Sequence, residues 1–219
     1  MTELIASAAA AYAAENTTPF DAVVGTIASR TRESLPNAGM MSGLAEAHLL
    51  EALLIVGDAR RVLEIGTFVG LGAVSMAAAL PPDGHVTTLE VNPDTAAIAR
   101  RNIDESGYGD RIELIVGDAL QTLDRLEGPF DLIYIDAWKN DYPAYYDRVL
   151  PKLAARGVIV CDNMLQSGRA FDPEAADDSA RGVRALAQRA NDDPSVHNVL
   201  LTIGDGVMVI WRQGHADPA

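Results

Sequence analysis

The sequence predicts a doubly wound α/β fold: a seven-stranded sheet, mostly parallel with an antiparallel last strand, preceded by N-terminal helices. Three observations predict it. From residue 61 onward, short apolar runs alternate with helical segments, the pattern of βα repeats and a parallel sheet. The first apolar run, "RVLEIG", breaks into a glycine-rich turn. The last two runs, "HNVLLTI" and "VMVIWRQ", are joined by Gly204, Asp205 and Gly206, a hairpin signal.

Taken in order, residues 1–57 read as helices. "TELIASAAAAYAAE" is rich in alanine, the best helix former. "TPFDAVVGTIASRTRE" offers Thr18 as N-cap and Pro19 at the first helical position. "PNAG" interrupts, and "SGLAEAHLLEALLIVG" runs to Gly57 as a third helix. This stretch has no core of its own, so the division is an N-terminal helical extension, 1–57, packed on a main domain, 58–219. "LGAVSMAAAL" is a helix stopped by "PPDG"; "HVTTLEV" is a strand. "NPDTAAIARRNIDESG" is a helix with Asn92 as cap and Pro93 at its first position. "RIELIVG", "FDLIYID" and "RGVIVCDN" are strands, with helices "DALQTLDRL" and "YPAYYDRVLPKL" between them. "DNMLQSGRAFDPEAADD" reads as a surface loop and "SARGVRALAQRAN" as the last helix. Tyr142, Tyr145 and Tyr146 are expected to pack rather than react.

Composition narrows the function. With 17 Lys and Arg against 31 Asp and Glu, the formal charge of the 219-residue chain is −14. Such a surface repels phosphate backbones, so no nucleic-acid partner is expected; it tolerates a cationic small molecule or a metal ion. The lone cysteine, Cys161, excludes an internal disulfide and a cysteine-zinc cluster, and its apolar surroundings predict a packed thiol. His48, His85, His197 and His215 show no ligand spacing. The N-terminal segment carries Glu3 and Glu15 and no basic leader. With no stretch read as long enough to span a bilayer, the expectation is a cytoplasmic protein without a membrane partner.

Ligands of open α/β sheets bind beyond the carboxyl ends of the strands, where strand order reverses. "LEIGTFVGLG" lies at such an end, with Gly66, Gly70 and Gly72 between strand and helix. Glu90 closes the next strand, where an acid can accept hydrogen bonds from ribose hydroxyls. Together these predict a nucleoside cofactor. The spacing is not the G-x-G-x-x-G of dinucleotide folds, and Glu64 would repel a pyrophosphate but attract an ammonium or sulfonium. S-adenosylmethionine carries both of those charges and no phosphate.

"VLEIGTFVGLGAVSMA", "LEVNPDTAAIA", "GDALQTL", "IDAWKNDY" and "CDN", in that order, resemble the cation-dependent S-adenosylmethionine O-methyltransferases of small molecules. That family includes catechol O-methyltransferase and caffeoyl-CoA O-methyltransferases, with a Rossmann-like fold. The resemblance runs from about Met40 to Arg212. It implies that Glu64 and Gly66 line the methionine end of the donor, with Gly72 and Asp136 also against it. Ser42 is implied as a donor contact, Met40 as a residue near methyl group and substrate, Glu90 as the ribose ligand, and Asp118 and Ala119 as neighbours of the adenine. Asp136, Asp162 and Asn163 match the metal ligands, and Lys139 the general base. Asn163 and Trp138 would also face the substrate. The chain departs from the family at several places. Gly72 stands for a common serine, and "DAWK" for "DADK". Compared with animal catechol O-methyltransferase, Ala38, Ser167 and Val199 stand for a gating tryptophan, a gating proline and a substrate-contacting glutamate.

The implied chemistry is coherent. A phenol is a weak nucleophile at neutral pH because its pKa is near 10. A divalent cation can stabilise the phenolate, and a lysine whose pKa is lowered by that cation and by desolvation can take the proton. Two carboxylates and an amide oxygen suit a hard ion such as Mg²⁺. Three open positions on an octahedral ion fit the adjacent oxygens of a catechol-like aromatic small molecule plus one water. Two other readings compete: a nicotinamide-dependent dehydrogenase, which the acid at position 64 opposes, and a non-catalytic binding protein. A homodimer is the expected assembly.

Overall fold

Every residue from Val62 to Ile65 and from Leu132 to Ile135 is buried. Strands covered on both faces belong at the centre of a sheet between two helical layers. The computed structural model, which describes residues 7–214, has that arrangement. Its helices are α1 (Ser7–Glu15), α2 (Ala22–Ser34), α3 (Leu44–Val56), α4 (Leu71–Ala79), α5 (Pro93–Glu105), α6 (Ala119–Leu123), α7 (Tyr142–Val149) and α8 (Asp178–Asp192). Its strands are β1 (Arg61–Ile65), β2 (His85–Glu90), β3 (Ile112–Val116), β4 (Phe130–Ile135), β5 (Leu153–Cys161), β6 (Val196–Leu201) and β7 (Val207–Arg212). Among the described residues they form one seven-stranded sheet in the order β3-β2-β1-β4-β5-β7-β6.

Neighbours from β3 to β5 are parallel; β7 is antiparallel to both β5 and β6. The expected direction of the last strand is therefore observed. Order reverses between β1 and β4, which pair directly with Ile65 opposite Ile135. One core lies between the sheet and α2, α3, α4 and α5, and includes Val62, Leu132 and Tyr134. The other lies toward α7 and α8, and includes Leu63, Ile65, Ile133 and Ile135. Tyr142, Tyr145, Tyr146 and Cys161 pack in the second core, as expected of them. Val24, Ile27 and Ala28 of α2 share the first core with Val74 and Met76 of α4.

Three expectations are corrected. Helix α2 begins at Ala22, not beside Pro19, because Asp21 is the better cap: its carboxylate accepts from Val24 N at 2.8 Å. The Thr18 carbonyl is instead held by His48 Nε2 at 2.7 Å. The 164–168 stretch is not all surface, since Met164, Gln166 and Gly168 are buried. Finally, the stretch Ala38–Val56 does reach the length and hydropathy of a membrane span. It is no continuous helix, however: a short 3₁₀ turn at Ala38–Met40 is separated from α3 by residues 41–43, which are not helical. The 13 residues of α3 extend about 20 Å, short of a hydrocarbon core of about 30 Å. Helix α1 is described from Ser7 on; residues 2–6 of the expected first helix, Glu3 among them, and His215 lie outside the described residues.

Candidate active site

The carboxyl ends of β1 and β4 meet at the reversal of strand order. Asp136 N donates to the Ile65 carbonyl at 2.9 Å. Gly66 follows with φ +104°, and a Cβ there would stand 2.1 Å from the Asp136 carbonyl oxygen. Glycine is thus required twice over at this position, by dihedral and by space. The turn continues through Phe68 at φ +49° to Gly70 at φ +83°, the N-cap of α4.

A cleft opens above this turn. Met40, Ser42, Glu64, Gly66, Gly72 and Asp136 line it, together with Tyr134. Six sequence-predicted residues therefore come together. Glu64 is almost fully buried and accepts from the Thr88 hydroxyl. Burial, and secondarily the charges of Asp136 and Glu90, push its carboxyl up to about 8. One Glu64 oxygen lies 2.2 Å from where a Cβ of Gly72 would stand, so the missing serine leaves room that the carboxylate occupies. Glu90 accepts from Phe68 N at 2.8 Å and Asn92 N at 2.9 Å, which fixes its carboxylate at the end of β2. Asp118 and Ala119 stand apart from the cleft lining, at the end of β3. Asp118 is exposed and caps α6 through Gln121 N, and Gly117 N ties this corner to the Glu90 carbonyl at 2.8 Å.

The second half of the site lies at the ends of β4 and β5. Ile135 pairs with Cys161, so Asp136 and Asp162 are the next residues on adjacent parallel strands. The Tyr142 hydroxyl shares its one hydrogen between the carbonyls of Ile135 and Asp162, at 3.0 and 2.9 Å, clipping the strand ends together. Burial first, and then the neighbouring Asp136 charge, raise the Asp162 carboxyl to about 6. Asp162 Oδ1 accepts from Asn163 N at 2.6 Å. Asn163 is left-handed, φ +55°, and its side-chain amide makes no hydrogen bond among the described residues. Lys139 Nζ donates to Asp136 Oδ1 at 2.6 Å and lies 5.0 Å from the Tyr142 ring centroid. Trp138 points outward, 67% exposed, and Met40 is 61% exposed. Among the described residues no three His, Cys, Asp and Glu side chains converge as a metal cluster; the candidate set is two carboxylates and an amide.

The chemistry of that donor set fits a hard divalent cation. The neighbouring Asp136 charge adds to the cost of ionising Asp162, and a cation would relieve it. The same rim of acids attracts a sulfonium or an ammonium.

Sequence reasoning missed Tyr134, Thr88 and Asp205. Tyr134 donates to Asp162 Oδ2 at 2.8 Å and lies 3.1 Å from Ser42 Oγ. Its signal was available: it is a hydroxyl in an aliphatic run, two residues before Asp136 and hence on the same face of β4. Thr88 pairs with Glu64 across β1 and β2. Asp205 accepts from Ser167 N at 2.6 Å and, through its carbonyl, from Leu165 N at 2.8 Å. The sequence marked it only as part of a turn.

A family model described as O-methyltransferase matches residues 21–213. A protein called catechol O-methyltransferase from Mycobacterium tuberculosis is 41% identical over 150 residues, 67% of this chain and 67% of that protein. Another of that name, from Niastella koreensis, is 32% identical over 175 residues, 77% of this chain and 79% of its own. Among solved structures, the O-methyltransferase TomG of Streptomyces achromogenes, in complex with SAM, superposes with a TM-score of 0.84 at 31% identity, covering 93% of this chain and 95% of its own. The SAH-bound methyltransferase PaMTH1 of Podospora anserina gives 0.90 at 28% identity, covering 98% of this chain and 97% of that one.

Proposed function

This chain belongs to the O-methyltransferase family, and from that premise we propose that it moves a methyl group from S-adenosylmethionine to a hydroxyl of a catechol-like aromatic small molecule, with a divalent cation, Mg²⁺ by its chemistry, at the rim. The observation that carries the reading is the adjacency of Asp136 and Asp162 on β4 and β5, against the turn that follows β1. Family membership sets aside the dehydrogenase reading.

In this mechanism Glu64 draws the ammonium of the donor into the cleft, and Glu90 accepts from its ribose hydroxyls. Asp118 and Ala119 border the adenine at the end of β3. Met40, exposed in the cleft lining, and Trp138, exposed on the turn after β4, would cover the acceptor ring. Asp136, Asp162 and the Asn163 amide oxygen would hold the cation. When bound, that ion supplies positive charge that stabilises a phenolate and orients two neighbouring oxygens. Lys139 takes the phenolic proton. Its ammonium now bonds Asp136, so the amine must leave that contact and lose its own proton before it can act as base. Holding donor and acceptor in line supplies much of the acceleration, on the order of 7–11 kcal/mol in well-oriented reactions.

The test is methyl transfer to a panel of catechols and monophenols with Mg²⁺, with and without EDTA. Turnover confined to vicinal diols and abolished by the chelator is expected. Equal turnover of monophenols in EDTA would refute the metal role. Asp136→Ala and Asp162→Ala should remain folded by circular dichroism and lose nearly all turnover.

The division into an extension, 1–57, and a methyltransferase domain, 58–219, belongs to the same proposal, supported by the shared core of α2 and α4. So do a cytoplasmic location, the lack of nucleic-acid and membrane partners, and a homodimer. Exposed apolar side chains on α1, α3 and the outer hairpin, Tyr12, Ile55, Val56, Leu200 and Trp211, support the last.

A further inference from the structure

We propose that the Tyr134 hydroxyl is a positioning group that joins the donor-binding loop to the metal-binding carboxylate, so that its removal weakens both sites together. The inference rests on the functional reading above, in which the donor fills the cleft that Ser42 lines and Asp162 is a metal ligand.

Tyr134 is the penultimate residue of β4 and is 2% exposed. The β4 run around it, from Leu132 to Ile135, is otherwise aliphatic, so packing explains the ring but not the oxygen. That oxygen has two partners, Asp162 Oδ2 at 2.8 Å and Ser42 Oγ at 3.1 Å. They come from segments far apart in the chain: the loop before α3 and the end of β5.

Proton counting fixes the direction of the chain of bonds. A carboxylate has no hydrogen to give, so the tyrosine hydrogen points to Asp162. The tyrosine oxygen is then the acceptor, and the Ser42 hydrogen points to it. Ser42 Oγ consequently presents only lone pairs to the cleft. An acceptor there favours the ammonium of an amino-acid end and disfavours its carboxylate.

At the other end, Asp162 has a protein donor on each oxygen, Tyr134 on Oδ2 and Asn163 N on Oδ1. This fixes the plane of the carboxylate while leaving a lone pair on each oxygen for a cation. A ligand held in this way loses little freedom on binding, and outer partners of this kind commonly carry 10–100-fold in metal affinity. Ser42 lies outside any helix or strand, so its place depends on such single contacts.

The experiment uses Tyr134→Phe, which keeps the ring, and Ser42→Ala, which cuts the link outside the core. Mn²⁺ binding is read by electron paramagnetic resonance without donor, S-adenosylhomocysteine binding by calorimetry without metal, and folding by thermal melts. Tyr134→Phe should weaken Mn²⁺ about tenfold and S-adenosylhomocysteine several-fold, with a near-native melt. Ser42→Ala should weaken Mn²⁺ about threefold although it touches no proposed metal ligand. Loss of only one affinity in Tyr134→Phe, or unchanged Mn²⁺ binding in Ser42→Ala, would overturn the link; the second variant decides if the first does not fold. Wild-type protein that binds neither probe would overturn the functional reading itself, and the link with it.

Discussion

Glu64 is where burial and function pull hardest against each other. Its carboxyl is raised from the ordinary carboxylate range to about 8 by burial, so near pH 7 the donor-free protein holds it protonated. The unfolded chain would have released that proton. Native protein therefore binds more protons than unfolded protein between the ordinary range and about pH 8, and stability falls as pH rises through that window. Melts from pH 6 to 9 should show a decline that Glu64→Gln makes shallower. Binding of a cationic donor should reverse the balance, ionising Glu64 and releasing roughly one proton near pH 7. Calorimetry in buffers of different ionisation enthalpy counts it; no release would remove Glu64 as the ammonium partner. Lys139 makes a separate prediction. Lys139→Ala should keep S-adenosylhomocysteine affinity yet slow single turnover by about 10²–10⁴-fold. Unaltered single-turnover rates would exclude it as base. Much of this rim was legible in the sequence, because acids at strand ends announce themselves beside short apolar runs. Tyr134 was not, because a tyrosine in such a run reads as packing until its oxygen is seen between two partners.

Elements carry the next layer of precision. Gly182 of α8 faces the turn that follows β4: a Cβ on it would stand 2.0 Å from the Lys139 carbonyl oxygen and 2.7 Å from Asn140 Cα. The helix thus sets the height of the turn that carries Lys139. Gly182→Ala should lower the melting temperature by several degrees, on the order of 1–3 kcal/mol for an overpacked contact, and reduce kcat more than donor affinity. An unaltered melt and kcat would show that α8 can retreat freely. The sequence predicted α8 but not this contact, since nothing in a helical pattern distinguishes a glycine that touches backbone from one that merely sits in a helix. Element types were legible throughout because the apolar periods were clear. Boundaries failed where two caps competed, as at Thr18 and Asp21, and the loop after β5 departs from the surface because it packs against distant partners, the second core and the 204–206 turn. Residues Gln166 and Ser167 there are left-handed, with φ of +49° and +53°. Asp205 holds the second of them, a partnership 38 residues long in sequence that no local pattern encodes.

At the scale of the whole molecule, a formal charge of −14 keeps chains apart at long range, while exposed Ile55, Val56, Leu200 and Trp211 offer short-range apolar contact. The proposed homodimer should accordingly grow stronger with salt, by screening, and Trp211→Glu or Val56→Glu should weaken it without unfolding the protomer. Analytical ultracentrifugation at low and moderate salt distinguishes this from a monomer at every concentration. The sheet order has a further consequence for how the chain comes into being. Strand β6 leaves the ribosome before β7 but sits beyond it, so it has no berth until its successor arrives. Until then β5 presents a bare edge, and the segment bearing Asn163 lacks the Gly206 carbonyl that receives Met164 N at 2.9 Å. A nascent chain can thus contain every acid of the proposed centre and still lack the contact that seats the segment after Asn163. The β5 edge closes only with the final strand, and the interval before it is when the polypeptide is most exposed to mispairing with its siblings.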